Sequence, residues 1–372
     1  MARPRLFYVL GSLEANDTGD EIVTILGRLS RARFEPRVIG LGGSDELRER
    51  IARMKVRVYP LGLSGPLGAL LAVWKVRSLL KSMDAEVVHG FGAWGGAVAA
   101  LAAPAGVSVV RSVSRPPVSG SDLRGWILGL MERRAAKRDG IHYLVPDEAA
   151  REMVANHYGG GETTVVPTSI DVAGLREAVR GMGRDGARLK LGIAPDETVF
   201  ACLTPFHSGF AMDEILQGLA VARREHPGIR LFLVGSGRHE GSSRWKAEEL
   251  RLDDAVVFLG RGPEAESIWA AADVVVDAYP WKEWSRGALK GQAAGLPVVK
   301  RVNGIEENGL EADDGMPLIS GQADRFGSGL VRLADDAALR ERIRASQTQA
   351  AAGHDVAEIA ERLAQVYQSQ RD

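Results

Sequence analysis

The stretch DAYPWKEWSRGALKGQAAGLPVVK, from Asp277 to Lys300, places Lys282, Glu283, Arg286 and Lys290 where a loop turns into a helix. Ser285 is a natural N-cap, and the glycine turn and apolar run that follow set the order loop, helix, strand. First-turn amides and the helix dipole attract an anion, so Ser285, Arg286, Gly287 and Ala288 form a candidate seat for a diphosphate, with Arg286 or Lys282 adding a cation. Any α/β protein has several such helix starts, and most hold only water. A second candidate is RLFLVGSGRHE, where Gly235 and Gly237 let the backbone approach a phosphate or sugar. Turn chemistry explains a Gly-x-Gly as well as ligand contact does. No Gly-x-Gly-x-x-Gly follows the first strand, so a nicotinamide enzyme is not supported.

Short β-branched runs must position these loops. RLFYVL, PRVIGL, VRVYPL, EVVHGF, VSVVRSV, IHYLV and TTVVPT alternate with amphipathic stretches such as DEIVTILGRLSRA and LGALLAVWKVRSLLKSM. The pattern recurs as TVFACL, IRLFLVG, AVVFLG, DVVVDA and LPVVKRV. Alternation of this kind predicts parallel sheets with crossover helices, here in two doubly wound α/β domains joined near residues 172–195. The expected division is 1–171, 172–353, and a final helix in 354–372 with no following strand, expected to pack back on the first domain. Ligands of such sheets bind outside the carboxyl ends of the strands.

Composition bounds the function. With 372 residues and a net charge of -1, the chain has the length of two domains and lacks the basic excess of a nucleic-acid binder. The first half is nevertheless basic, with 22 Lys and Arg against 17 Asp and Glu through Ile170. ELRERIARMKVRV, GRLSRARF and MERRAAKR read as solvated helix faces or as a surface for weak peripheral contact with anionic lipid, the solvated reading being favoured. One cysteine, Cys202, excludes a disulfide framework, and no Cys/His cluster has zinc spacing, so no metal is expected. The start of the chain reads as a first strand rather than a signal peptide, and no run is long enough to span a bilayer, which fits a cytoplasmic protein, peripheral at the inner face of a membrane if lipid is met.

GSLEANDTGDEIVTILGRLSRARFEPRVIGLGG, DAEVVHGFGAWGGAVAALAA, VVPTSIDV, IRLFLVGSG, VVFLG, AADVVVDAYP and GQAAGLPVV follow one another in an order that resembles the retaining glycosyltransferases of family 4 over nearly the whole chain. That resemblance implies the GT-B fold, two facing Rossmann-like doubly wound parallel-sheet domains with a nucleotide-sugar in a cleft lined by residues 11–20, 89–94, 203–209, 235–237 and 282–290. It implies no cofactor besides the nucleotide-sugar donor, a hydroxyl acceptor that is a glycan or lipid-linked, and Gly19 in the opening glycine loop on the donor side.

The chain departs from the family where the chemistry is densest. Aligned on AAGLPVV, the family's two donor-site glutamates fall on Lys282 and Lys290, with Glu283 one residue away from the first. An ammonium has only donors and cannot accept ribose hydroxyls. The family's diphosphate-binding Arg and Lys fall on Leu203 and Ser208 in CLTPFHSGF, where His207, Ser208 and Gly209 are the remaining donor-side candidates and a protonated His207 would replace one cation in part. His89 ends a strand and reads either as a catalytic contact to sugar or acceptor or as a structural histidine. Trp94, Trp281 and Trp284 flank these loops and could stack on a sugar or base, or close a core. Two classes stay open: a glycosyltransferase with a divergent donor site, which is the reading adopted, and a GT-B protein kept as a binding module or partner subunit. A nucleotide-sugar epimerase of the same fold fits the motif order less well.

Overall fold

Each apolar run of the sequence becomes a strand, and the strands gather into two separate sheets. In the computed structural model the described residues are all but 1–2, 15–16, 44–45, 64, 115–122, 204–205, 207–211, 261–265, 280–283, 303–309, 312–316, 348–349 and 371–372. The chain divides into two units, one of Met1–Ser169 with Val356–Asp372 and one of Ile170–Asp355.

In the first unit, β1 (Arg5–Leu10), β2 (Glu35–Gly40), β3 (Arg57–Pro60), β4 (Val87–Phe91), β5 (Ser108–Ser112), β6 (Ile141–Val145) and β7 (Glu162–Val165) lie in the order β3-β2-β1-β4-β5-β6-β7, all parallel. Buried on both faces, the central strands are apolar without alternation. Helices α1 (Asp17–Arg28) and α2 (Glu46–Arg53) cover one face; α3 (Gly65–Ser82), α4 (Gly92–Ala102), α5 (Leu123–Ala135) and α6 (Glu148–Tyr158) cover the other. The glycines and alanines of α4 let it sink against the sheet. A Cβ on Gly95 would stand 2.4 Å from the Val9 carbonyl oxygen, and one on Gly90 would stand 2.6 Å from that of Gly95. With α4 so thin, α3 and α5 touch each other beside it.

The second unit repeats the plan with β8 (Thr198–Leu203), β9 (Ile229–Val234), β10 (Val256–Gly260), β11 (Val274–Asp277), β12 (Val298–Val302), β13 (Leu310–Glu311) and β14 (Leu318–Ser320), ordered β10-β9-β8-β11-β12-β14-β13. Six strands are parallel, and the two-residue β13 adds antiparallel at the edge. β13 and β14 are too short to show a periodicity, which is why pattern reading passes over them. The helices are α7 (Val172–Met182), α8 (Arg184–Lys190), α9 (Met212–Glu225), α10 (Glu240–Glu249), α11 (Ile268–Ala271), α12 (Arg286–Ala293), α13 (Ala323–Asp335) and α14 (Ala337–Gln347). The segment 172–195, whose charges and glycines suggest a mere connection, is folded. It forms α7 and α8, and Arg184 and Arg188 of α8 both bond the Asp273 carboxylate, 2.6 and 3.4 Å away.

The last helix, α15 (Val356–Ser369), returns to the first unit. Ile359, Leu363, Val366 and Tyr367 join the core formed by α1, α2 and the sheet, and Tyr367 is fully buried, edge-on to Phe34 and Tyr8. Removing a buried aromatic ring costs about 3–5 kcal/mol. Tyr367→Ala is therefore expected to speed amide exchange across 5–10 and 87–91 by the corresponding opening free energy while leaving 198–203 unchanged, measured by hydrogen–deuterium exchange.

Candidate functional site

The strand order of the second sheet reverses between β8 and β11, the switch point at which doubly wound sheets meet ligands. Their carboxyl ends are Leu203 and Asp277, and α12 begins beside them. Asp277 is fully buried, and its Oδ2 lies 3.0 Å from Lys300 Nζ, itself 1% exposed in the middle of β12. The same oxygen accepts the Ser285 amide at 3.0 Å, and Oδ1 accepts the Tyr279 amide at 3.2 Å. One carboxylate thus holds the chain on both sides of residues 280–283. Ser285 then caps α12, its Oγ accepting from the Ala288 amide at 3.0 Å. Lys300 also lies 5.7 Å from the centre of the Trp284 ring. The opening stretch of sequence therefore begins and ends on two charges that pair with each other.

Small residues let α12 lie close over the strand ends. A Cβ on Gly287 would stand 2.7 Å from Leu203 Cδ1, and one on Gly291 would stand 2.8 Å from Val275 Cγ2. A bulky residue at Gly287 would meet leucine before any ligand, so it reports on packing and not on binding. Arg286, at the first helical position, is 8% exposed. Of the sequence candidates, Ser285, Arg286, Gly287, Ala288 and Lys290 are thus brought together on one helix.

Lys290 has a partner that sequence reasoning did not find. Its Nζ is 2.7 Å from Glu266 Oε1, while Glu266 Oε2 accepts from Trp269 Nε1 at 2.9 Å. A carboxylate therefore stands beside Lys290, where the resemblance calls for one, but it arrives from the start of α11. Twenty-four positions separate the two residues, and no local pattern joins them. Asp277 and Lys300 were missed as well. Their signal was present, a charge at the end of each of the apolar runs VVVD and VVK, since a charge in a strand buried on both faces needs a partner.

Gly235 ends β9 with φ +150°, a conformation that side chains rarely adopt, and its amide donates to the Gly260 carbonyl at 3.0 Å. The Gly237 carbonyl accepts the Glu240 amide at 3.1 Å at the start of α10. Both glycines serve the turn. His207, Ser208, Gly209 and Glu283 lie outside the described residues, as do Trp281 and Lys282. In the first unit, Gly19 sits in the first turn of α1, where a Cβ would be 2.9 Å from both Leu47 Cδ2 and the Glu14 carbonyl oxygen, so packing accounts for it.

His89 is fully buried in β4, with Nδ1 2.7 Å from the Tyr367 hydroxyl and Nε2 2.8 Å from that of Ser112. Burial pushes its pKa down to about 3, with the nearby His142 adding to the shift. A neutral ring with both nitrogens engaged inside the core has the geometry of a structural histidine, and a catalytic role finds no support here.

The sequence matches the family model of the glycosyl transferase 4-like domain over residues 21–168 and that of glycosyl transferases group 1 over residues 199–336. The chain belongs to this glycosyltransferase family, and its fold is GT-B. It is 25% identical over 297 residues to a GDP-mannose-dependent monoacylated alpha-(1-6)-phosphatidylinositol monomannoside mannosyltransferase of Corynebacterium glutamicum, covering 74% of this chain and 76% of that protein. It is 25% identical over 198 residues to an alpha-monoglucosyldiacylglycerol synthase of Streptococcus pneumoniae, covering 52% of this chain and 44% of that one, so the match spans less than half of the streptococcal protein. Among solved structures, HepE of Anabaena in complex with UDP and glucose superposes with a TM-score of 0.77 at 18% identity, covering 99% of this chain and 100% of that one.

Two outcomes follow from the buried groups. Lys300→Met strands the Asp277 carboxylate and is expected to destabilise the second unit by about 3–5 kcal/mol, whereas Asp277→Asn/Lys300→Met recovers most of the loss in chemical denaturation. For His89, the folded chain refuses a proton that the unfolded chain takes up below its ordinary value of 6.5. Its contribution is fully present above pH 6.5 and is lost as pH falls toward 3, at about 1.4 kcal/mol per pH unit. His89→Gln should flatten that part of the stability–pH curve.

Proposed function

We propose that the protein transfers a sugar from a nucleotide-sugar to a hydroxyl acceptor, a glycan or a lipid-linked alcohol, with retention at the anomeric carbon. The observation that carries this reading is the start of α12, held over the ends of β8 and β11 by the Asp277 carboxylate. Charge develops on the diphosphate as it leaves, and amides fixed in advance at a helix N-terminus stabilise it without reorganising. Arg286 adds a buried guanidinium at the same helix start. The donor diphosphate is assigned to this end of α12 and the ribose to Glu266, whose carboxylate accepts the hydroxyls that Lys290 cannot. The reading uses no metal and no further cofactor. It sets the protein in the cytoplasm, with the first unit at the inner face of a membrane when the acceptor is lipid-linked.

The relatives' names and the complexes of similar folds support a nucleotide-sugar donor. The test is a calorimetric panel of UDP, GDP, ADP and their sugar conjugates, followed by product analysis for anomeric configuration. One nucleoside diphosphate should bind in preference to the free nucleoside; no binding by any member, or product of inverted configuration, contradicts the proposal.

The Glu266 assignment fixes the sign of a further change. Lys290→Glu sets two carboxylates against each other and is expected to weaken nucleotide binding, while costing no more than about 1 kcal/mol of stability because the pair is partly exposed. Exchanging the residues, Glu266→Lys with Lys290→Glu, should restore binding; tighter binding by Lys290→Glu alone would show that the ribose acceptor belongs at 290.

A further inference from the structure

Large apolar side chains left in water are few, and most share one place. Among the described residues, Leu71 (50% exposed) and Trp74 (69%) on α3, and Leu123 (63%), Trp126 (58%) and Leu130 (48%) on α5, account for five of the eight strongly exposed ones. The spacings are helical: 71 and 74 on α3, and 123, 126 and 130 on α5. Each series forms one stripe, and the two helices touch each other. Both helices lead into a parallel strand of the same sheet, so they run in the same direction; the stripe of α5 begins in its first turn, beside the carboxyl ends of the strands, and that of α3 lies at mid-helix.

The stripes turn basic toward the other end. Exposed Arg77 and Lys81 continue the surface of α3, and exposed Arg133 and Arg134 that of α5, with Lys137 just beyond. No exposed acid interrupts them on either helix: α3 has none, and Glu132 of α5 is wholly buried, its carboxylate 2.7 Å from Arg111 and accepting from the Tyr158 hydroxyl. Tryptophan and leucine followed along each helix by cations, with the exposed acids Asp84 and Asp139 only beyond the helix ends, match the interface of an anionic bilayer, where the rings sit among the headgroups and the cations meet lipid phosphate.

We propose that the exposed face of α3 and α5 docks the first unit on a membrane of anionic phospholipid. This deepens the lipid-linked arm of the proposed function and rests on it for its purpose, because the apolar stripe of α5 begins at the strand edge where doubly wound sheets receive ligands. Of the basic runs of the first half, MERRAAKR therefore does have a tryptophan- and leucine-rich face beside it, which appears only once the helices are placed side by side, while the runs around α1 and α2 lie on the other face of the sheet.

The full chain is sedimented with vesicles of phosphatidylglycerol and phosphatidylcholine, and with phosphatidylcholine alone. Binding to the mixed vesicles and weak binding to the neutral ones are expected. Trp74→Ser/Trp126→Ser should lower the bound fraction about tenfold, and Trp245→Ser, at the exposed tryptophan of the second unit, should leave it unchanged. Lys81→Gln/Arg133→Gln/Arg134→Gln should lower binding to the mixed vesicles and reduce its salt dependence. Wild-type protein that stays in solution with the mixed vesicles, or a Trp74→Ser/Trp126→Ser protein that sediments like wild type, overturns the docking face. So does a dimer in lipid-free sedimentation velocity that this variant abolishes, since the face would then belong to a second copy. UDP and GDP titrations of the wild type keep the two ideas apart: nucleotide binding without vesicle binding overturns the docking face alone, and vesicle binding without nucleotide binding overturns the donor reading alone.

Discussion

A single buried carboxylate organises the second unit's ligand edge. Asp277 would be a liability at the end of a strand with no access to water, and the Lys300 ammonium offsets its charge at 3.0 Å. Having been neutralised, it still has lone pairs to give, and these take the amides of Tyr279 and Ser285. The loop between is thereby fixed at both ends, Ser285 is set to cap α12, and the helix start is aimed at the switch point between β8 and β11. The pair's worth lies in this positioning, since a buried ion pair is weak evidence of stability for its own sake.

Close packing completes the arrangement. Gly287 and Gly291 let α12 approach Leu203 and Val275, as Gly95 lets α4 approach β1 in the first unit. In both units a helix of small residues follows a strand at the switch point and lies nearly on the sheet. The consequences differ. In the second unit the thin helix brings its own first turn to the strand ends, and in the first it allows α3 and α5 to meet with their outer faces exposed.

Twelve strands, the crossover pattern and the family were legible in the sequence because strands buried on both faces leave continuous β-branched runs and because AAGLPVV after AADVVV is distinctive. What stayed hidden depends on contacts between distant residues. Lys290 alone reads as a lost ribose contact, and only the fold shows Glu266 beside it. His89 near a strand end leaves a substrate contact and a structural role both open until Tyr367, 278 positions away, is found against its ring. Gly19 and Gly287 look like backbone donors in a string of letters, but their neighbours show that each makes room for a leucine. The basic run on α5 likewise looked like a solvated face, because the tryptophans near it lie on two helices that only the sheet brings together.

The central claim is that a nucleoside diphosphate rests on the first turn of α12. Hydrogen–deuterium exchange with and without saturating UDP, or whichever diphosphate binds best, reads this directly in the peptide covering 284–289. The account predicts that exchange there slows by about tenfold or more on binding, as expected when first-turn amides without a helical acceptor gain phosphate oxygens. Saturation with nucleotide that leaves 284–289 unchanged, with protection elsewhere in the chain, would contradict it.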